Sequence, residues 1–140
     1  MKVMLKNVRL SFPSLFKTEI YAGEDTEKYA ATFLIPKSDT KTVASIEQAC
    51  KQALVEKYGE GKVPKGFKMP LVDGDDKEYQ GYADCVCIKA NTKKRPTLVN
   101  RDKTPIAEED GILYGGCYVN ASIDVWVMDN SYGKKVLASL

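Results

Sequence analysis

Residues 117–128 read CYVNASIDVWVM, and this stretch decides the fold class. Its side chains alternate with the two-residue period of a β-strand that is buried on one face only. The apolar face carries Cys117, Val119, Ala121, Ile123, Val125 and Val127, and the other face carries Tyr118, Asn120, Ser122, Asp124, Trp126 and Met128. We therefore expect a long strand that packs against a core on one side.

Shorter segments of the chain are also predicted as strands. They are residues 3–12, 29–35, 82–90 and 97–100, with the opening of another at 135–140. One helix is predicted between Ser38 or Asp39, which can cap it, and Gly59, which ends it. The absence of a regular strand–helix–strand rhythm argues against a parallel sheet. We expect a mainly β fold, a five-stranded OB-fold-like antiparallel barrel with one inserted α-helix, as a single domain over residues 1–140.

The first strand, residues 3–12, has an interrupted pattern. Met4, Val8, Leu10 and Phe12 alternate on one face, and Lys6 breaks that face. We expect Phe12 and Phe33 to lie mainly in the core.

Composition limits the classes of protein. The 140 residues include 21 basic and 19 acidic side chains, a net charge of +2, so any affinity for nucleic acid depends on where the charge lies. No apolar run approaches the roughly 20 residues that span a bilayer, and the N-terminus lacks a signal-peptide core. We expect an intracellular protein that makes no membrane contact and keeps its four cysteines reduced.

A basic loop, Lys89-Ala90-Asn91-Thr92-Lys93-Lys94-Arg95-Pro96, separates two predicted strands. A cationic rim beside exposed rings is what sequence-tolerant binding of single-stranded nucleic acid requires. The alternatives are a solubilising turn for the loop, and packing under the helix or a loop for the rings. Predicted phosphate contacts are Lys89, Lys93, Lys94, Arg95 and Lys135, with Arg9 as a further electrostatic candidate; predicted stacking residues are Tyr114, Tyr118, Trp126 and Tyr132.

Catalytic and metal-binding interpretations have weaker support. The chain has no histidine, which removes the commonest general base and metal ligand. Asp73, Asp75 and Asp76 could hold magnesium in a nuclease, but a solvated acidic turn explains them too. Four cysteines could hold zinc, but their spacing lacks paired knuckles and core positions account for them. We expect no enzyme, no metal and no cofactor.

Several short blocks of the chain resemble one protein family. They are residues 7–16 (NVRLSFPSLF), 29–37 (YAATFLIPK), 70–75 (PLVDGD), Arg95-Pro96 and residues 114–121 (YGGCYVNA), continuing to Trp126. In this order they resemble the single-stranded DNA-binding proteins of tailed bacteriophages.

The resemblance implies an OB-fold that coats single-stranded DNA in phage replication and recombination, in the cytoplasm of the infected bacterium. It also implies a further strand and an acidic C-terminal tail that contacts replication or recombination proteins and competes with DNA. Neither follows Leu140, so we expect both to be missing. The rival function is a structural or adaptor barrel of the virion. The sequence leaves the oligomeric state open, a homodimer included.

Overall fold

A computed structural model describes residues 1–77, 79, 81–131 and 133–140. The strands and the helix are β1 (Lys2–Ser14), β2 (Ile20–Tyr21), β3 (Glu24–Asp25), β4 (Tyr29–Pro36), α1 (Thr40–Tyr58), β5 (Leu71–Asp73), β6 (Cys85–Thr92), β7 (Tyr118–Asn130) and β8 (Gly133–Ser139). Within the described ranges, α1 is too polar to cross a membrane and no other helix is long enough.

Five of these strands close into a barrel. Antiparallel pairs join β1 to β4 and β7, β4 to β6, and β7 to β8. The ring is completed by a short parallel contact between β6 and β8, where Ala90 pairs with Ala138 and Asn91 with Ser139. The predicted five-stranded OB-fold-like barrel is therefore confirmed, and one of its five contacts is parallel. Helix α1 is inserted between β4 and β6.

Two predicted strand segments differ from the observed ones. Residues 97–100 contribute only an isolated bridge between Val99 and Pro105. Residues 135–139 of the segment predicted as the opening of a strand belong to β8, which begins at Gly133 and whose seven residues pair along β7.

The alternation in β7 is confirmed. Ile123 and Val125 are fully buried in the barrel core, while Tyr118 and Trp126 lie on the outer face. Helix α1 packs its buried residues, among them Ile46, against the same core. Asp39 caps the helix by accepting a hydrogen bond from the backbone N–H of Thr42.

The predicted inner face of β1 is confirmed at Val8 and Leu10 but wrong at Met4 and Phe12, because two β-bulges interrupt the strand. From Leu5 to Val8 the strand advances three residues while β7 advances two, and Asn7 in this bulge has φ 53°. The extra residue makes Val3, Leu5, Val8 and Leu10 the buried set and leaves Met4 58% exposed. A second bulge between Ser11 and Ser14 contains Phe12, which has φ 44° and points outward. Phe33 is buried, as predicted.

A covering segment, residues 71–84, lies against the outside of the barrel. Its strand β5 pairs with β6, and Tyr82 and Val72 pack on the outward side chains of Leu34 and Cys87. Tyr82 was predicted to begin a strand, but it lies in a turn, where its side chain is buried. Lys37 fixes the start of the segment through ion pairs of 2.9 Å with Asp73 and 2.6 Å with Asp75.

Candidate nucleic-acid interface

Arg9 lies on the outer face of β1, between two neighbouring strands. Its register partners are Tyr118 on β7 and Leu34 on β4. The Tyr118 ring is 64% exposed. The Arg9 guanidinium makes no ion pair with any residue that the structure describes. Its charge is therefore available to an anion that approaches the barrel surface.

A turn at Tyr114–Cys117 lies directly beside Arg9. The backbone N–H of Gly116 donates to the carbonyl of Leu10 (2.7 Å), and the N–H of Leu10 donates to the carbonyl of Cys117 (2.8 Å). These bonds fix the turn against β1 and leave the Tyr114 ring exposed. Arg9, Tyr114 and Tyr118, three predicted site residues, are thus brought together.

A second group of rings lies on the other side of Arg9. The Phe12 and Tyr79 rings meet edge to face at 5.0 Å, and Tyr82 lies 5.2 Å from Tyr79. The Tyr82 hydroxyl is 2.8 Å from Ser11 Oγ, which ties the group to β1. Phe12 and Tyr79 are more than half exposed. We call Arg9, Phe12, Tyr79, Tyr114 and Tyr118 the ring patch.

Two members of the ring patch were not predicted as site residues. Phe12 was predicted in the core, because the bulge that turns it outward leaves no mark on the apolar pattern. Tyr79 lies between the predicted helix and the predicted strand at residues 82–90, where no site residue was predicted. One signal could have found it: Tyr79 and Tyr114 both begin a Tyr-x-Gly triplet, a pattern typical of tight turns.

Lys89 lies two strands away from Arg9, on the outer face of β6. In register it is opposite Thr32, which is itself opposite Ser11 on β1. Its ammonium group forms a 3.0 Å ion pair with Glu19, at the base of the hairpin made by β2 and β3. Lys89 is therefore near the ring patch, but its charge is partly neutralised.

The predicted cations Lys93, Lys94 and Arg95 directly follow β6 and are exposed. The Lys94 backbone N–H donates a 3.3 Å hydrogen bond to Thr92 Oγ1 within this turn. None of the three forms an ion pair within the described part of the chain. This turn is the most concentrated free positive charge near the outer face of β6.

Trp126 is not part of the ring patch. It lies eight residues along β7 from Tyr118, roughly 26 Å at the usual rise per residue, and its indole N–H donates to Ser139 Oγ at 2.8 Å. Met1, Ala53 and Lys57 line a shallow pocket with it. Lys135 is half-buried opposite Met128, further along the same strand pair. The predicted stacking residue Tyr132 lies outside the described residues.

The residues considered for metal binding have other partners. Asp73 and Asp75 both accept hydrogen bonds from Lys37, which holds the pKa of each carboxyl below its usual value. The cysteines are free thiols, and burial raises the pKa of Cys50 to about 11. In the ranges that the structure describes, no three acidic, cysteine or histidine side chains form a group that could hold a metal ion.

Comparison with known proteins identifies relatives of the whole chain. The family model for the single-stranded DNA-binding protein of Enterobacter phage Enc34 matches residues 1–140. Protein p50 of Acyrthosiphon pisum secondary endosymbiont phage 1 is 41% identical, over 100% of this chain and 80% of its own length.

Solved structures show the same fold. The single-stranded DNA-binding protein of bacteriophage Enc34, solved in complex with ssDNA, is 28% identical with a TM-score of 0.79, over 99% of this chain and 82% of that one. The single-stranded DNA-binding protein of bacteriophage T7, 15% identical with a TM-score of 0.63 over 99% of this chain and 87% of that one, supports the fold alone. The protein belongs to the family of the Enterobacter phage Enc34 single-stranded DNA-binding protein.

Proposed function

We propose that this protein binds single-stranded DNA without sequence preference and coats it during phage replication and recombination. The observation that carries the proposal is the guanidinium of Arg9, which forms no ion pair with a described residue and lies among exposed rings on the outer face of an OB-fold barrel. The Enc34 protein of the same family was solved with ssDNA bound, which supports the same ligand for this chain.

The strand arrangement suggests a path for the DNA. From the ring patch, the row Ser11–Thr32–Lys89 leads across β1, β4 and β6 to the turn at Lys93, Lys94 and Arg95. Neighbouring strands are about 4.8 Å apart, so Lys89 is about 10 Å from the position of Ser11. The rings would stack on bases, and the cations would contact the intervening phosphates.

Each group has a distinct role in this mechanism. Aromatic stacking contributes roughly 1–3 kcal/mol per base and accepts any base, which accounts for binding without sequence preference. Phosphate contacts release counterions, so affinity should fall steeply as salt rises. Trp126, Tyr132 and Lys135 remain predicted contacts; Trp126 and Lys135 lie too far along β7 and β8 to share bases with the ring patch.

Fluorescence anisotropy with labelled oligo-dT at several salt concentrations tests the proposal. Replacing Lys93, Lys94 and Arg95 by alanine should weaken binding and lower the slope of log K against log salt by up to about 2, or roughly 0.7 per phosphate contact. A matched triple alanine at exposed Lys41, Lys51 and Lys62 removes the same charge elsewhere and should change the slope far less. Wild-type protein that fails to bind oligo-dT would refute the function.

Family membership supports three finer parts of the proposal. The protein would act in the cytoplasm of the infected bacterium, would contact phage replication or recombination proteins, and would leave the DNA uncut. Labelled oligo-dT should therefore stay intact after long incubation with magnesium. The single domain and the homodimer stay predictions.

A further inference from the structure

Two turns of the ring patch share one design. Tyr79–Tyr82 and Tyr114–Cys117 are each closed by a backbone hydrogen bond from the fourth residue to the first, of 3.3 Å and 3.2 Å. The third residue of each is glycine with a positive φ, 86° at Gly81 and 105° at Gly116. Glycine at this position is typical of type II turns, because other residues rarely adopt that conformation. Each turn therefore begins with an exposed tyrosine and places a glycine two residues later.

Both glycines face the guanidinium of Arg9. A Cβ atom added to Gly81 would lie 2.8 Å from Arg9 Nη1, and one added to Gly116 would lie 3.4 Å from Nη2. A side chain at Gly81 would push the guanidinium away, whereas a Cβ at Gly116 would only touch it at an ordinary van der Waals distance. The absence of a side chain at Gly81 therefore helps determine where the positive charge lies.

Each turn is also attached to β1 next to Arg9. Gly116 is bonded to the backbone of Leu10, and the Tyr82 hydroxyl is bonded to Ser11 Oγ. The guanidinium consequently lies between two turns that are fixed on both of its sides. Its planar donors match the oxygens of a phosphate in a bidentate geometry, which an ammonium group cannot reproduce.

We propose that Arg9 and the two turns form one phosphate subsite, flanked by base-stacking positions on Tyr79 and Tyr114. Gly81 is its positioning residue. The subsite rests on the proposed function, since its ligand is a phosphate of single-stranded DNA together with the two bases that adjoin it.

Alanine substitutions test the subsite by oligo-dT anisotropy across a salt series. Arg9→Ala should weaken binding roughly tenfold and lower the salt slope by about 0.7, the value for one phosphate contact. Gly81→Ala should reproduce both changes, because its Cβ would displace the guanidinium. The double variant should bind no more weakly than Arg9→Ala, because the glycine acts only through the arginine.

Gly66→Ala is the matched control. Gly66 also has a positive φ, 96°, but a Cβ there would meet no atom within 4 Å. The substitution imposes a comparable backbone cost without touching Arg9, so the affinity and slope of this variant should equal those of the wild type. Thermal unfolding of all variants separates a loss of folding from a loss of binding.

Arg9→Lys gives a second test that does not alter a turn. Lysine keeps the positive charge but lacks the planar pair of N–H donors that the guanidinium offers. We therefore expect the salt slope to equal that of the wild type and the affinity to be reduced severalfold. Equal affinity of Arg9→Lys and wild type would overturn the bidentate subsite. So would Gly81→Ala with wild-type affinity and slope, or a double variant of Arg9→Ala and Gly81→Ala with additive losses. The proposed function would stand as long as wild-type protein binds oligo-dT.

Discussion

Glu19→Gln should tighten the binding of single-stranded DNA. In the free protein the Glu19 carboxylate is 3.0 Å from the Lys89 ammonium, so a phosphate must displace it to reach Lys89. The two side chains are 21% and 50% exposed, and pairs of this kind contribute up to about 1 kcal/mol. Removing the competing carboxylate should therefore raise the affinity by up to about fivefold. It should also make the salt slope steeper by about 0.7, since Lys89 would then release a counterion when it binds phosphate.

The assay is oligo-dT anisotropy at four or more salt concentrations, with Glu27→Gln as the matched control. Glu27 lies next to the same hairpin and makes no ion pair with a residue that the structure describes, so its loss removes an equal charge without freeing a cation. Glu27→Gln should change affinity less and leave the slope unaltered. If Glu19→Gln bound more weakly than wild type, Glu19 would be holding Lys89 in place for the phosphate, and the competition argument would be wrong.

Three further predictions concern the rings and the covering segment. Tyr118→Ala should reduce oligo-dT affinity by roughly 1–3 kcal/mol with no change in salt slope or melting temperature, because the ring is exposed and uncharged; an altered slope would contradict this. Gly74→Ala should lower the free energy of unfolding by about 1–3 kcal/mol in urea titrations, since the new Cβ would overlap the Tyr82 carbonyl oxygen and lie 2.6 Å from that of Cys85. Lys37 depresses the pKa of Asp73 and Asp75 in the folded state, so its contribution is present above the ordinary carboxyl pKa of about 4 and is lost as pH falls below it. Melting temperatures should therefore fall more steeply in acid for wild type than for Lys37→Ala, and parallel curves would refute that assignment.

The strands of the barrel could be predicted from the sequence where apolar and polar side chains alternate in step with burial. In β7 the apolar and polar residues alternate without interruption, so both its length and its inner face followed from the sequence. The helix was equally clear, because its apolar spacing and its end at Gly59 agree. Strand β1 was not predictable in the same way, since a bulge changes which residues face inward without changing composition.

The candidate site was predicted less well than the fold for a related reason. Tyr118 and Trp126 share a face of β7, as predicted, but their separation of eight residues corresponds to roughly 26 Å of strand, so the two rings cannot belong to one stacking group. Arg9 was predicted only as a further electrostatic candidate. Its importance depends on partners from β7 and from two turns, which only the folded chain brings together.

The conformation of Phe12 argues that the ring patch serves binding rather than stability. A positive φ on a bulky residue costs about 1–3 kcal/mol, and leaving the ring 58% exposed gives up part of the roughly 1.5–3 kcal/mol that burial of a phenylalanine provides. An uninterrupted strand would avoid the cost of the positive φ and would direct the Phe12 side chain inward, like that of Leu10. Both costs occur at the position that places a ring beside Tyr79, three residues from Arg9 along β1. The packing of the barrel does not explain this bulge. Stacking of the exposed Phe12 ring on a base would explain it.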